Sequence, residues 1–328
     1  MMRGVVSPML AAAALLTALV APHLAGARAV APPPAVASVD PALAARIALG
    51  RRLFYDGDLS IDGSMSCATC HLQRHGFAEG NRTHAGVTDE PGRRNVPGLA
   101  NVARRRSFTW SDSTLRTLEA QALVPMLGEH PVEMGMKGQE VELVRRLGRN
   151  ACYGRLFRVG FSNQAGRIDM GTITQALAAF ERSLVSADAP VDRFERGDVE
   201  AVPPLAQTGR DLFRKHCASC HAGPDLTDDR FHRVEAVSTR DTGLGAVTGN
   251  ASDRGRFRTP SLRNVAVSAP YFHDGETLTL GAALRRHQRL SIKPWQEAAI
   301  IAYLGEFTDR TFLNDSRFAY PDRPCEAP

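Results

Sequence analysis

The chain has 328 residues, 43% of them hydrophobic and only 6% aromatic, with a formal net charge of +5. So small an excess is not the balance of a nucleic-acid-binding protein. No segment beyond the first thirty residues is apolar for long enough to span a membrane, which takes about 20 residues.

Residues 1–29 have the layout of a secretory signal peptide: Arg3 supplies a short positive region, Met9 to Val20 is apolar, and Ala25, Ala27 and Ala29 offer small-residue cleavage sites. The expected address of the mature chain is the periplasm, and loss of Arg3 and Arg28 lowers its formal charge to +3. Residues 30–40, with Ala31-Pro32-Pro33-Pro34-Ala35, read as an extended linker before the fold begins near Pro41.

The sequence Cys-x-x-Cys-His then occurs twice, as Cys67-Ala68-Thr69-Cys70-His71 and as Cys217-Ala218-Ser219-Cys220-His221. This spacing is what covalent haem c requires: two thiols form thioethers with the vinyl groups and the adjoining His ligates the iron. A zinc site would recruit all four Cys without needing the two His, and a thioredoxin-like motif would sit in a βαβ pattern that is absent. Gly50-Arg51-Arg52-Leu53-Phe54 precedes the first motif as Gly209-Arg210-Asp211-Leu212-Phe213 precedes the second, so a whole module is duplicated. Each copy resembles the opening helix of cytochrome c. Two haems also explain how a chain so poor in aromatics fills two cores, and four propionates would occupy some of the arginines at 93, 94 and 104–106, the others solvating the surface.

Helix signals dominate. Leu115 to Met126, Glu140 to Leu147 and Ile173 to Leu184 each carry apolar residues on one face, and a further helix is expected over Leu280 to Leu290. The connectors Glu79 to Gly98 and Gly223 to Gly255 are long enough to wrap haem edges. The fold class is mainly α, with two cytochrome c-like haem domains over 41–200 and 201–312, divided near Pro203-Pro204, and a tail over 313–328. Four of six cysteines are used by haem. In an oxidising compartment the remaining pair, Cys152 and Cys325, is expected as a disulfide, the alternative being two thiols.

Several stretches resemble the bacterial di-haem cytochrome c peroxidase and MauG superfamily: Arg94-Asn95-Val96-Pro97, Phe108-Thr109-Trp110, Glu119 to Pro125, Arg258 to Asn264, and Ala269-Pro270-Tyr271-Phe272-His273-Asp274-Gly275. Within it, 128–133 and 312–318 are most similar to the MbnH branch of di-haem enzymes. The resemblance implies that the first haem meets H2O2 and the second stores or relays an electron. It also makes Trp110 the indole between the haems, a stepping stone for charge, although an ordinary core Trp would look the same in sequence. Glu133 matches the family's distal acid/base, with Glu129 as the alternative. His75 and His84 raise the question of a sixth ligand to the first haem, but 73–77 resembles a surface turn of the MauG-type members, and a five-coordinate first haem is expected. His287 stands where relatives place Met or Tyr as distal ligand of the second haem, the alternative being a solvent-facing His. Asn95, with the carbonyls of Ser268 and Pro270, resembles an interdomain Ca²⁺ site, for which oxygen donors are suited.

The resulting expectation is an enzyme that reacts with H2O2 and oxidises a periplasmic protein substrate, in the manner of MauG- and MbnH-like tryptophan modification. The alternatives are a cytochrome c peroxidase fed by a small redox protein, and a non-catalytic di-haem electron carrier. Glu133 and Trp110 argue against the carrier, which needs neither.

Overall fold

The computed structural model describes residues 1, 40–235, 238, 240–288 and 290–322. Residues 2–39, which hold most of the expected signal peptide and linker, and Cys325 lie outside these residues. The described residues from Asp40 onward form one compact unit whose regular structure is mainly helical.

The first helix, α1 (Pro41–Phe54), starts where Asp40 accepts the N–H of Ala42 and Pro41 presets the first turn. Then come α2 (Cys67–Cys70), α3 (Leu118–Leu127), α4 (Glu140–Arg149), α5 (Ala151–Gly160) and α6 (Met170–Ser183), the last opened by a capping box between Asp169 and Thr172. The second half contains α7 (Pro190–Glu195), α8 (Pro204–His216), α9 (Leu244–Thr248), α10 (Leu280–Arg286), α11 (Pro294–Gly305) and α12 (Arg310–Asn314). Among the described residues the one sheet is a two-residue antiparallel pair, Phe231–His232 with Phe257–Arg258. The three expected helices of the first half are present with ends shifted by a few residues. The fourth stops at Arg286, and His287 is its C-cap at φ −74°, ψ 89°.

The duplication seen in the sequence is a duplication of packing. α1 lies against α6 at Gly50, and α8 lies against α11 at Gly209. At each crossing the glycine faces a backbone carbonyl of the partner helix, Ala176 in one case and Ala299 in the other, with no room for a Cβ. Two buried clusters form around these crossings. One holds Leu49, Leu53, Phe54, Phe77, Ile173 and Phe180, with Cys67 and Cys70 packed on it. The other holds Ala206, Phe213, Leu226, Ile300, Tyr303 and Leu304, with Cys217 packed on it.

Two segments behave differently from their sequence appearance. The turn 73–77 is a 3₁₀ turn, but Phe77 is fully buried and His75 donates through Nδ1 to the Val267 carbonyl at 2.7 Å, tying the first module to the second. Phe312 and Phe318 return to the first cluster, where Arg51 donates to the Ala319 carbonyl at 2.6 Å and Tyr55 to the Phe318 carbonyl at 2.8 Å. Cys152 packs on the same cluster and is disulfide-bonded.

Candidate functional site

Each Cys-x-x-Cys-His motif closes on itself in the same way. The N–H of His71 donates to the Cys67 carbonyl at 2.9 Å, and that of His221 to the Cys217 carbonyl at 2.9 Å. The His71 ring gives its Nδ1 proton to the Phe77 carbonyl at 2.7 Å, and the His221 ring gives its own to the Leu226 carbonyl at 3.0 Å. A carbonyl only accepts, so Nδ1 carries the proton and Nε2 is the basic nitrogen, the form in which imidazole ligates a metal. Burial lowers both rings to about 4, so they are neutral at pH 7. Burial also pushes the thiols of Cys67, Cys70 and Cys217 up, which is the reverse of a poised redox thiolate.

Beside the second motif is a cavity of about 760 Å³ bounded by Cys217, Cys220, His221, Trp110 and Arg258. His287 lines it too, near enough for its charge to act on His221. Its Nδ1 donates to the Ala283 carbonyl at 2.8 Å, which leaves Nε2 basic as in the two motif histidines. α10 ends one residue before it, at Arg286. Arg258 is 1% exposed and its Nη2 has no protein partner, although Nε donates to the Thr109 carbonyl at 2.9 Å and Nη1 lies 3.2 Å from Asp229. A buried guanidinium nitrogen left open toward such a cavity is what a haem propionate satisfies. Thiol pairs, neutral motif histidines, cavity and orphaned cation together fit haem c. Of the arginines expected near propionates, Arg94 instead pairs with Asp241, while Arg105 lines the cavity and donates to the Gly98 and Ala100 carbonyls.

Trp110 is buried at 8% exposure and lines the same cavity. Its indole N–H donates to the Asn95 carbonyl at 2.7 Å, and its own carbonyl accepts from Arg258 at 2.8 Å, so residues from both halves of the chain fix the ring. Asn95 is buried, and its Nδ2 donates to the Asn81 and Arg82 carbonyls at 3.2 and 3.3 Å, leaving Oδ1 as its ligand-capable atom. Ser268 and Pro270 line the cavity with it.

On the first motif's side, Glu133 lies near both Cys67 and Cys70. Burial pushes its carboxyl up, with His84 acting in the opposite sense. Glu129 is exposed and ion-paired to Lys137, which removes it from that environment. Three features were not singled out in the sequence: Glu79 and Glu181, both buried with Oε2 unpartnered, and the approach of His84 to Glu133. Glu181 carried a readable signal, since an acid eight residues after Ile173 falls on the apolar stripe of α6. Nothing local marks Glu79 or places His84 beside Glu133.

A duplicated Cys-x-x-Cys-His module with buried neutral histidines and a haem-sized cavity defines a two-haem c-type cytochrome. The family model described as di-haem cytochrome c peroxidase matches residues 44–200. The chain is 39% identical over 243 residues to a methylamine utilization protein MauG of Methylorubrum extorquens, covering 73% of this chain and 67% of that protein. It is 33% identical over 290 residues to cytochrome c551 peroxidase of Pseudomonas aeruginosa, covering 84% and 81%. A crystal structure of a MauG-like protein associated with microbial copper homeostasis superposes with a TM-score of 0.81 at 30% identity, over 85% of this chain and 93% of that one. The chain belongs to the di-haem cytochrome c peroxidase and MauG family, and is therefore a haem-dependent oxidoreductase with two haem c groups.

Proposed function

We propose that this protein is a periplasmic enzyme that reacts with H2O2 at the haem held by Cys67, Cys70 and His71, and oxidises a tryptophan on a partner protein. The second haem is held by Cys217, Cys220 and His221, with His287 as its distal ligand. The observation that carries this reading is the asymmetry of the two sites. One has a second basic imidazole, His287, on the wall of the cavity that holds its motif. The other has a desolvated carboxyl, Glu133. Bound haem supplies an iron that accepts peroxide at one site and a store for oxidising equivalents at the other. The protein supplies the rest. Glu133 moves a proton from the inner to the outer peroxide oxygen, a task suited to a carboxyl whose burial moves it toward neutral pH. Trp110, held through Asn95 and Arg258, gives charge a path between the halves. Oδ1 of Asn95 and the carbonyls of Ser268 and Pro270 hold Ca²⁺, which keeps the Trp110 anchor at Asn95 in register.

Similarity to MauG and to a MauG-like structure supports the MauG-type reading. Similarity to cytochrome c551 peroxidase over a like share of the chain favours a second reading, in which a small cytochrome feeds electrons for peroxide removal. A persistent oxidised state serves the first role and not the second. The diferric protein mixed with one equivalent of H2O2 and no reductant is expected to form a long-lived two-electron-oxidised species by stopped-flow absorbance, and Trp110→Phe to shorten its life. A diferric protein that stays inert until one haem is reduced would replace the first reading with the second.

A further inference from the structure

Cleavage of the O–O bond uses only protons already on the peroxide: one crosses from the inner to the outer oxygen and one water leaves. Return to the starting state takes two electrons from the donor and two protons from solvent, and releases the second water, so that H2O2, two electrons and two protons give two waters. Glu133 can move the first proton, but the two later ones must be brought to it.

The wall beside Glu133 is the loop 84–92. Gly86 allows it to lie against the neighbouring backbone, where a Cβ would sit 2.8 Å from the Cα of Glu133, and Val87 N–H donates to the Glu133 carbonyl at 2.9 Å. The loop brings His84 close enough to act on the Glu133 carboxyl. A ring nitrogen of His84, a carboxylate oxygen of Glu79 and the Cys70 sulfur all lie within 4.8 Å of one another. Glu79 is 1% exposed. Its Oε1 accepts from Gly80 N–H at 3.1 Å and from the Asn81 side chain at 2.9 Å, whereas its Oε2 is buried without a partner. An acceptor left bare in the interior is costly unless a proton or cation visits it. The Nδ1 of His84 donates to the Ala85 carbonyl at 2.7 Å, so Nε2 is free to take and give a proton.

We infer that His84, steadied by Glu79, is the proton-relay residue that recharges Glu133 after peroxide cleavage. His84 is half-buried beside the exposed Asn81 and Arg82, so it takes a proton from solvent at Nε2 and passes it to the Glu133 carboxylate. Glu79 Oε2 holds the transient imidazolium. This happens twice per turnover, once for each electron delivered. The inference rests on the assignment of peroxide to the first haem.

The test is a single turnover of the haem-loaded protein: one equivalent of H2O2 is added to the diferric form, then ascorbate, with both phases followed by stopped-flow absorbance. In His84→Ala the return of the oxidised species should slow by about tenfold or more, and by a larger factor than its formation. Added imidazole should restore the return in His84→Ala but not in Glu79→Gln, which is slowed as well. His84→Gln, which keeps a polar side chain of similar reach, should return slowly too and serves if the alanine variant fails to fold. An unchanged return rate, a slowed return that imidazole does not restore, or a change of ferric spin state on removing His84 would overturn the inference. Formation reports on the peroxide assignment and return on His84. If the unmodified diferric protein forms no oxidised species, the assignment falls and takes the relay with it.

Discussion

Replacing Gly209 by alanine should damage the second haem site and leave the first intact. An added Cβ would fall on the Ala299 carbonyl, 2.5 Å from its carbon and 3.0 Å from the Tyr303 Cβ. Ordinary carbon contacts are about 3.5–4.0 Å, so α8 and α11 must separate by roughly 1 Å. The obstacle is backbone and has no rotamer to adopt, which puts the cost near the top of the usual overpacking range, about 3 kcal/mol. Alanine returns up to about 1 kcal/mol of helix propensity, for a net loss of about 2 kcal/mol. The loss should be local, because the crossing supports Phe213 and Tyr303, whose ring centroids are 5.5 Å apart beside Cys217. Gly50→Ala is the mirror experiment, since its Cβ would lie 2.6 Å from the Ala176 carbonyl carbon and 2.9 Å from the Phe180 Cβ. Gly148→Ala in α4 is the control: nothing lies within 4 Å of its Cβ, and it should be neutral or gain about 0.4–1 kcal/mol. Denaturant unfolding of the haem-loaded protein gives the midpoints, and the high-spin and low-spin absorbance bands show which site is affected. If Gly209→Ala unfolds at the unmodified denaturant concentration with its low-spin band intact, the duplicated crossing does not support the haem site as argued.

Glu133→Gln should keep both haem spectra but slow formation of the oxidised species by about 10² to 10⁴, as loss of a general acid/base does, and an unchanged stopped-flow rate would remove Glu133 from the chemistry. Glu181 offers a pH test. Burial raises its carboxyl from 4.5 to about 8, with Oε2 unpartnered. A raised carboxyl favours folding fully below pH 4.5, where both states are protonated, and that contribution is lost as pH climbs through about 8. The unmodified protein should therefore lose stability across that window by up to roughly 5 kcal/mol, an upper bound at about 1.4 kcal/mol per pKa unit. Glu181→Gln should flatten the curve, and parallel stability–pH curves for the two would contradict the assignment.

What was legible in the sequence was whatever depends on covalent spacing or local periodicity. The two haem motifs, their shared Gly-x-x-Leu-Phe lead-in and the amphipathic helix around Ile173 all rest on neighbours in the chain, so the helical class and the duplication followed. The reason for the two glycines did not, because the opposing carbonyls of Ala176 and Ala299 are distant in sequence. The expected helix through Leu290 failed for a related reason. Its pattern continues past Arg286, but His287 leaves the helix to face the cavity, a tertiary contact that outweighs propensity. His84 was legible only as a possible sixth ligand, because its place beside Glu133 depends on Gly86 docking the loop on Val132 and Glu133. Buried polar atoms such as Glu79 Oε2 and Arg258 Nη2 emerge only when the hydrogen bonds of the folded chain are counted.

The central claim is that the two haems have unequal jobs, one iron open to peroxide and the other closed by His287. Electron paramagnetic resonance of the fully oxidised protein tests it most directly. One high-spin and one low-spin ferric signal of equal weight are expected, with His287→Ala converting the low-spin signal to high-spin. Two low-spin signals with no high-spin component, or a low-spin signal untouched by loss of His287, would contradict it.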